Sequence, residues 1–256
     1  MDNIATLRND VKPSLAHALK DITSSPERLK AVKTPAVPEI PAYLHEIYHW
    51  AYLNPRHVKW LDHEIVVKTI LWQQHDKLKN AAKSEIVPGQ SLLQAACVYG
   101  DISAQLADAV GTEGSLDIAD VALVQVENAR RKLKDYPQVA VHHANIMDMD
   151  RGFFDVVCCY FLLHELPDNH KKDTVNALLK KVEPGNKVVF VDYHKPHWAH
   201  PLKPITSFVF DTLEPFAKGL WNREISEMAE FPEKFTWRKE TYFGGLFQKV
   251  VAVRKN

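Results

Sequence analysis

Glycine is scarce in this chain. Its 256 residues include 9 glycines against 15 prolines, whereas ordinary usage of about 7% would give roughly 18 glycines. Few of the loops that approach a ligand can therefore be glycine-rich. Cysteine is scarce too, since Cys97, Cys158 and Cys159 are the 3 present and form no C-x-x-C pair. That number and spacing disfavour a disulfide framework and a structural zinc site, and they indicate a reducing compartment.

Net charge and long apolar runs are also absent. Lys plus Arg and Asp plus Glu both number 32, so no basic field attracts a polyanion, and we predict no nucleic-acid partner. No apolar run approaches the roughly 18 residues of a membrane span. The first residues include acidic side chains and lack an apolar core, which is unlike a secretory signal, while an organelle leader stays open.

The pattern divides the chain into three regions. Residues 1–40 form a polar arm that ends in a proline-punctuated stretch. Residues 41–84 carry apolar and aromatic side chains at helical spacing, and Pro55 after Asn54 is typical of a helix start, so this region predicts two helices. In residues 85–256, short apolar runs alternate with helical segments, and a proline-containing, lid-like insertion interrupts them at about 195–232.

The alternation of strands and helices predicts the fold. Strands are expected at 91–97, 116–120, 139–142, 154–162 and 187–193, with closing strands at 235–241 and 247–254. Helices between consecutive strands imply an α/β, Rossmann-like, mainly parallel sheet that is covered on both faces. Such sheets bind ligands at the carboxyl ends of the strands, near the point where the strand order reverses.

The segment LLQAACVYGDIS, residues 92–103, predicts a strand, a tight turn and a helix. Backbone amides at such a turn suit an anionic or polar ligand group, although any α/β protein contains strand-turn-helix units. Asp120 ends the next strand, roughly 20 residues later, where a carboxylate can accept two ribose hydroxyls; alternatively it caps the following helix. Asn145 follows the third strand and fits either a contact to a base edge or a plain turn.

Together these features resemble the class I S-adenosylmethionine-dependent methyltransferases over residues 85–195. The resemblance rests on LLQAACVYGD, on Asp120 before a helix ending ENARRK, and on the segments FDVVCCYFLLHELPD and VEPGNKVVFVDYH. In the glycine-rich cofactor turn of that family, Gln94 takes the acidic position, Ala96 and Val98 take glycine positions, and Gly100 matches. The resemblance implies S-adenosylmethionine contacts from Gln94, Ala96, Val98, Tyr99, Gly100, Asp101, Asp120, Asn145 and Phe161.

A narrower resemblance covers residues 41–225. The segments ACVYGD, SLDIADV with QVENARRK, FLLHE, VDYHKP and TLEPFAKGLW, preceded by YHWAYLNPR, are similar to the RquA family of rhodoquinone biosynthesis. That resemblance implies conversion of ubiquinone to rhodoquinone, in which an amino group replaces a ring methoxy group. It also implies that S-adenosylmethionine is the amino donor and that manganese is required. The expected protein is therefore an S-adenosylmethionine-dependent transferase with ubiquinone as its substrate.

Candidate metal ligands follow the fourth and fifth strands: His164, Glu165, Asp192 and His194. Oxygen and imidazole ligands suit manganese, which would stabilise negative charge on the quinone oxygen beside the substituted carbon. Tyr99, His164 and His194 are the candidate catalytic residues. Plainer alternatives stay open, because Glu165 could cap a helix, His194 could bond backbone carbonyls, and Tyr99 could fill the volume of the missing glycines.

A prenylated quinone resides in a bilayer, so a membrane surface is an expected partner. The expected location is the cytoplasmic face of a bioenergetic membrane, or a mitochondrial-type compartment. Two sets of aromatic residues suit a membrane interface, although the first set also fits a helical core. The sets are Tyr48, Trp50, Tyr52, Trp60 and Trp72 in the first helices, and Trp198, Phe208, Phe210, Phe216 and Trp221 in the insertion. Two other functions stay open: a conventional S-adenosylmethionine-dependent quinone or phenol methyltransferase, and a non-catalytic quinone- or lipid-binding protein on a decayed methyltransferase fold.

Overall fold

A computed structural model describes residues 38–256, so most of the predicted arm lies outside the described residues. Within them, one seven-stranded sheet has the order β3-β2-β1-β4-β5-β7-β6. Its strands are β1 Ser91–Ala95, β2 Ser115–Asp120, β3 Val139–His143, β4 Phe154–Tyr160, β5 Val182–Tyr193, β6 Phe235–Tyr242 and β7 Phe247–Arg254. Strands β1 to β5 are parallel, whereas β7 pairs antiparallel with both β5 and β6. The predicted α/β, mainly parallel sheet is confirmed.

The region before the sheet contains more helices than the two predicted. It holds α1 Ala42–Glu46, a π-helical turn His49–Leu53, α2 Pro55–Leu61, α3 Glu64–Ile70 and α4 His75–Lys83. Asn54 caps α2 by accepting the amide of Arg56 at 3.0 Å, and Pro55 occupies the first helical position, as predicted. The prediction of one continuous second helix is wrong, because Trp72 and Gln73 adopt left-handed backbone angles that separate α3 from α4.

The sheet is buried on both faces. Helices α5 Ile102–Val110, α6 Leu123–Lys132 and α7 Asp168–Leu179 connect its parallel strands. Successive strand residues enter opposite cores: Leu92 and Cys158 pack on one face, and Leu93 and Cys159 pack on the other. All three cysteines are free and buried.

The insertion folds onto the domain instead of standing away from it. It contains α8 Lys203–Leu213, α9 Gly219–Asn222 and the 3-10 turns Ile225–Met228 and Pro232–Lys234. Phe210 and Leu220 are core residues. The buried Lys171 ammonium donates to the carbonyls of Leu166 at 2.7 Å and Phe216 at 2.8 Å, which ties the insertion to the end of β4. Trp198 and Phe208 stay exposed, at 80% and 71%.

Among the helices of residues 38–256, none is both long enough and apolar enough to cross a bilayer.

Candidate active site

The carboxyl ends of β1, β2 and β4 border a cavity of about 390 Å³, which we call the strand-end cavity. Its walls include Asp120 at the end of β2, Asn145 and Ile146 after β3, and Leu162 after β4. Strand order reverses here, because β1 lies between β2 and β4. Parallel sheets bind their ligands at such reversals, and the volume falls in the range of small-molecule pockets.

Asp120 is a buried acceptor at the end of β2. Its Oδ2 accepts the amide of Cys97 at 2.7 Å, and its Oδ1 accepts the amide of Ala122 at 2.7 Å. Burial raises the pKa of Asp120 to about 6, although the two amides lower it. Each oxygen retains capacity for a hydroxyl donor, as ribose recognition requires. Helix α6 is capped by Ala122, so Asp120 is not its N-cap.

In the turn after β1, polar groups form hydrogen bonds within the protein, whereas the sequence predicts that they contact a ligand. The Gln94 amide donates to the carbonyl of Ala96 at 2.9 Å, and Gln94 is fully buried. Ala96 adopts a left-handed φ of 67°. The amide of Cys97 goes to Asp120, and that of Gly100 goes to Asp62 Oδ1 at 2.9 Å. These two amides therefore bind carboxylates of the protein instead of facing a ligand.

Tyr99 fastens this turn to the π-helical turn His49–Leu53. Its hydroxyl donates to the carbonyl of Ala51 and accepts the Gln125 amide at 2.9 Å. Its ring stacks on Tyr52 with a centroid distance of 5.5 Å and an interplanar angle of 7°. The Tyr99 hydroxyl therefore makes its hydrogen bonds to groups of the protein, while its ring forms part of a cavity wall.

That second cavity, the helix-capped cavity, lies between the β1 turn and the helices that precede the sheet. Its volume is about 150 Å³, and its walls include Trp50, Val67, Tyr99, Phe161 and Tyr193. An apolar cavity of about this volume accommodates a single benzene ring. The helix-capped cavity is therefore suited to a planar ring, with the rest of a larger ligand outside it.

The two cavities meet at a common wall. The residues that line both are Tyr52, Ala96, Cys97, Leu162 and Glu165. Ala96 and Cys97 come from the β1 turn, and Leu162 and Glu165 follow β4. A ligand in the strand-end cavity and a ring in the helix-capped cavity would approach each other across these residues.

His164 forms a buried ion pair beside this wall. Its Nδ1 lies 2.9 Å from Asp192 Oδ1, and it lines the helix-capped cavity. Burial by itself would lower the pKa of His164, but the carboxylate of Asp192, aided by Glu214 and Glu165, raises it to about 9. At neutral pH, His164 is therefore an oriented cation that can donate a proton or a hydrogen bond.

Two further carboxyl groups surround His164. Glu165 Oε1 accepts the hydroxyl of Tyr52 and lies 3.8 Å from His164 Nε2. Burial raises the pKa of Glu165 to about 8, although the nearby His164 lowers it. Glu214, just after α8, accepts the Tyr48 hydroxyl at 2.8 Å, and burial raises its pKa as well. Glu165 is therefore able to exchange a proton near neutral pH.

The predicted metal ligands His164, Glu165, Asp192 and His194 do not form one site. Asp192 is 1% exposed and accepts the amides of Leu163 and Tyr193 in addition to His164. His194 lines neither cavity, because its Nδ1 faces the carbonyl of Gly245 at 2.8 Å. In the described part of the chain, no three His, Cys, Asp or Glu side chains are arranged to hold a metal. These residues therefore do not fit manganese.

The nine residues predicted to contact the cofactor separate into groups. Three line the strand-end cavity: Ala96, Asp120 and Asn145. The helix-capped cavity is lined, besides Ala96, by Val98, Tyr99, Gly100, Asp101 and Phe161. Gln94 lines neither. Asp101 also binds the Lys79 ammonium at 2.6 Å.

Sequence reasoning missed the site roles of Tyr48, Tyr52 and Glu214. The sequence pattern around the two tyrosines fits a membrane interface or a helical core, and the segment TLEPFAKGLW, which contains Glu214, predicts no role for this carboxyl group. A polar tip on an otherwise buried aromatic residue was the available signal, because such hydroxyls require a partner. Nothing local identified the carboxylates as those partners, since each is more than 100 positions away.

The sheet order and the strand-end site define a class I S-adenosylmethionine-dependent methyltransferase fold. Solved structures agree with this class. A SAM-dependent methyltransferase from Aquifex aeolicus is 18% identical, with a TM-score of 0.53 over 78% of this chain and 97% of that chain. An O-methyltransferase family protein from Burkholderia thailandensis is 13% identical, with a TM-score of 0.61 over 79% of this chain and 61% of that one.

The sequence comparisons identify the family. The model of the ubiE/COQ5 methyltransferase family matches residues 62–232, about two thirds of the chain. The chain therefore belongs to this family of quinone-biosynthesis methyltransferases.

Individual relatives are similar to this chain at low identity. Demethylmenaquinone methyltransferase from Bacillus licheniformis is 27% identical over 70% of this chain and 78% of that protein. The ubiquinone/menaquinone biosynthesis C-methyltransferase UbiE from Shewanella sediminis is 26% identical over 43% of this chain and 45% of that protein. The prediction that the chain is an S-adenosylmethionine-dependent transferase is confirmed.

Proposed function

We propose that this protein transfers a group from S-adenosylmethionine to the ring of a prenylated quinone. The observation that carries the proposal is the wall shared by the strand-end and helix-capped cavities. One cavity has a held carboxylate, Asp120, for the ribose of the cofactor, and the other has the volume of one ring. Relatives that are demethylmenaquinone and ubiquinone/menaquinone biosynthesis methyltransferases support the same kind of acceptor.

The residues around the wall supply proton chemistry for such a transfer. S-adenosylmethionine contributes a transferable group activated by its positive sulfur. A ring that gains or loses a substituent changes the charge on its oxygens, and His164, held as a cation by Asp192, can donate to such an oxygen. Glu165, whose pKa burial raises to about 8, can take up or return a proton near neutral pH.

Methyl transfer to a ring carbon is the reaction best supported by the comparisons. The chain belongs to the ubiE/COQ5 methyltransferase family, and relatives such as demethylmenaquinone methyltransferase and the ubiquinone/menaquinone biosynthesis C-methyltransferase UbiE transfer methyl groups in quinone biosynthesis. In such a reaction a hydroxyl of the reduced ring would give up its proton while the ring carbon bonds to the cofactor methyl, and S-adenosylhomocysteine would leave. The substituted ring carbon would then lose its own hydrogen as a proton, and the ring oxygen would regain one, which restores the aromatic ring and its hydroxyl.

Amino transfer, which converts ubiquinone to rhodoquinone, is the second candidate. A specific observation favours it: the turn after β1 carries Ala96, Val98 and Tyr99 where a methyltransferase has small residues, and Tyr99 holds the turn against the helices. In this reaction the α-amine of S-adenosylmethionine would add to a ring carbon, and the methoxy group would leave as methanol. The bond between that nitrogen and the cofactor's α-carbon would then break, with a proton passing from the β-carbon to the nitrogen, so that the amino group stays on the ring. Manganese dependence, which the RquA resemblance implies, stays a prediction; chelation followed by an activity assay tests it.

One experiment separates the candidates. Purified protein is incubated with S-adenosylmethionine that carries one isotope label in the methyl group and another in the α-amino nitrogen. The acceptors are ubiquinone and a reduced quinone that lacks the ring methyl, and mass spectrometry identifies which label reaches the ring. The methyl label supports methyl transfer, and the nitrogen label with loss of methoxy supports amino transfer. Neither label in any product, with cofactor still bound, would instead support the non-catalytic binding function.

A membrane surface is the proposed source of the acceptor. Trp50 and Ile70 line the helix-capped cavity and are 42% and 48% exposed, and the nearby α3 residue Ile65 is 77% exposed. Apolar side chains around a cavity mouth suit peripheral binding at a lipid interface. We therefore locate the protein at the face of a bioenergetic membrane. Sedimentation with lipid vesicles tests this, and Ile65→Ser should reduce the bound fraction.

A further inference from the structure

S-adenosylmethionine carries two positive groups, a sulfonium and an α-ammonium, and a buried cation requires a nearby negative group. Four carboxylates line the strand-end cavity within residues 38–256: Glu39, Asp120, Asp148 and Glu165. Glu39 and Asp148 are exposed, and both oxygens of Asp120 accept backbone amides. Glu165 is 8% exposed and also lines the helix-capped cavity.

Glu165 has one oxygen available for a ligand. Its Oε1 accepts the Tyr52 hydroxyl, whereas its Oε2 makes no hydrogen bond within residues 38–256. The closest cationic side chain at this carboxylate is His164, whose Nε2 lies 3.8 Å away and whose Nδ1 is paired with Asp192. A mostly buried carboxyl group with one unpaired oxygen, at the wall between two cavities, is suited to a cationic donor. Burial raises the pKa of Glu165 to about 8, and a cation bound beside it lowers that pKa and favours the charged carboxylate.

We propose that Glu165 binds the α-ammonium group of S-adenosylmethionine and holds that nitrogen at the wall between the two cavities. This inference rests on the proposed use of S-adenosylmethionine. Gln94, at the end of β1, cannot perform this role, because it is neutral, fully buried and hydrogen-bonded to Ala96. With the nitrogen at the wall, the α-amine faces the ring in the helix-capped cavity, which is the arrangement that amino transfer needs.

The test is calorimetric binding of three ligands to the wild type and to Glu165→Gln. S-adenosylhomocysteine has the α-ammonium but no sulfonium, and methylthioadenosine has neither. We expect Glu165→Gln to weaken S-adenosylmethionine and S-adenosylhomocysteine to the same extent, about 10- to 100-fold, because a charged hydrogen bond is lost. The affinity for methylthioadenosine should not change. Weakening of S-adenosylmethionine alone would show that Glu165 faces the sulfonium, and no weakening of either would also overturn the inference.

A second measurement does not depend on the stability of the variant. For the wild type, an S-adenosylhomocysteine analogue with hydrogen in place of the α-amine should bind about 10- to 100-fold more weakly than S-adenosylhomocysteine itself. Equal affinities would overturn the inference. Failure of the wild type to bind any of these adenosyl ligands would instead refute the proposed function.

Glu214→Gln is the matched control. Glu214 is also a buried carboxyl group with a tyrosine donor. Unlike Glu165, it lines the helix-capped cavity but not the strand-end cavity. We expect its affinity for S-adenosylhomocysteine to equal that of the wild type. An equal loss in both variants would attribute the effect to general negative charge and overturn the specific contact.

Discussion

Asp192→Asn should destabilise the protein in a pH-dependent way. The substitution keeps the shape of the side chain but removes the charge that raises the pKa of His164 to about 9. A histidine pKa raised on folding stabilises the native state fully below its ordinary value of about 6.5, and this stabilisation is lost as the pH rises through about 9. The difference between the two pKa values corresponds to roughly 3 kcal/mol at pH 6.

Urea unfolding at pH 6 and pH 9 measures this effect. We expect the stability difference between wild type and Asp192→Asn to be larger at pH 6 by a few kcal/mol, on the order of the roughly 3 kcal/mol above. A residual loss persists at pH 9, because the Asn amide would face the amide of Tyr193, which Asp192 accepts at 2.7 Å. Asp117→Asn is the control: Asp117 lies 2.6 Å from His142 in a partly exposed pair, where we expect less than about 1 kcal/mol. Equal differences at both pH values would refute the role assigned to Asp192.

Three other substitutions test the site and the fold. Asp120→Ala should weaken S-adenosylhomocysteine binding at least about 10-fold in calorimetry, because the ribose loses a charged acceptor; unchanged affinity would exclude that contact. Ala96→Gly should raise the free energy of unfolding by about 0.5–1 kcal/mol, since φ at this position is 67°; a decrease would contradict the conformational argument. Glu85→Gln should cost about 2–3 kcal/mol, because the buried Lys249 ammonium, 2.9 Å away, loses its buried partner. Denaturation curves of the wild type and of Glu85→Gln measure this loss of stability. As the control, the affinity of Glu85→Gln for S-adenosylhomocysteine should equal that of the wild type.

The sheet could be predicted from the sequence because its signals are local. Short apolar runs marked β1 to β5. Four of these strands, β1, β2, β4 and β5, carry buried residues inside the sheet, whereas β3 is a half-buried edge strand. Asp120 was placed at a ligand site because it directly follows such a run. Its two amide contacts, to Cys97 and Ala122, are then consequences of the strand end and the adjacent turn.

The rest of the site could not be predicted in the same way. Tyr52 contacts Glu165 across 113 positions, and Tyr48 contacts Glu214 across 166 positions. Short-range periodicity contains no information on such pairings. The prediction of a metal site shared by His164 and His194 is wrong for a related reason. The two histidines follow adjacent strands, but β5 continues to Tyr193, and His194 then faces the carbonyl of Gly245, which follows β6.

The helix-capped cavity has an evolutionary consequence. Its cofactor-side wall belongs to the sheet, whereas Trp50, Tyr52 and Val67 come from short helices that precede the sheet. Changes in those helices can reshape the space for the acceptor while Asp120 and the β1–β2 framework stay the same. New acceptors can therefore arise in this lineage by exchange of a small, contiguous segment, without rebuilding the part of the protein that recognises the adenosyl ligand.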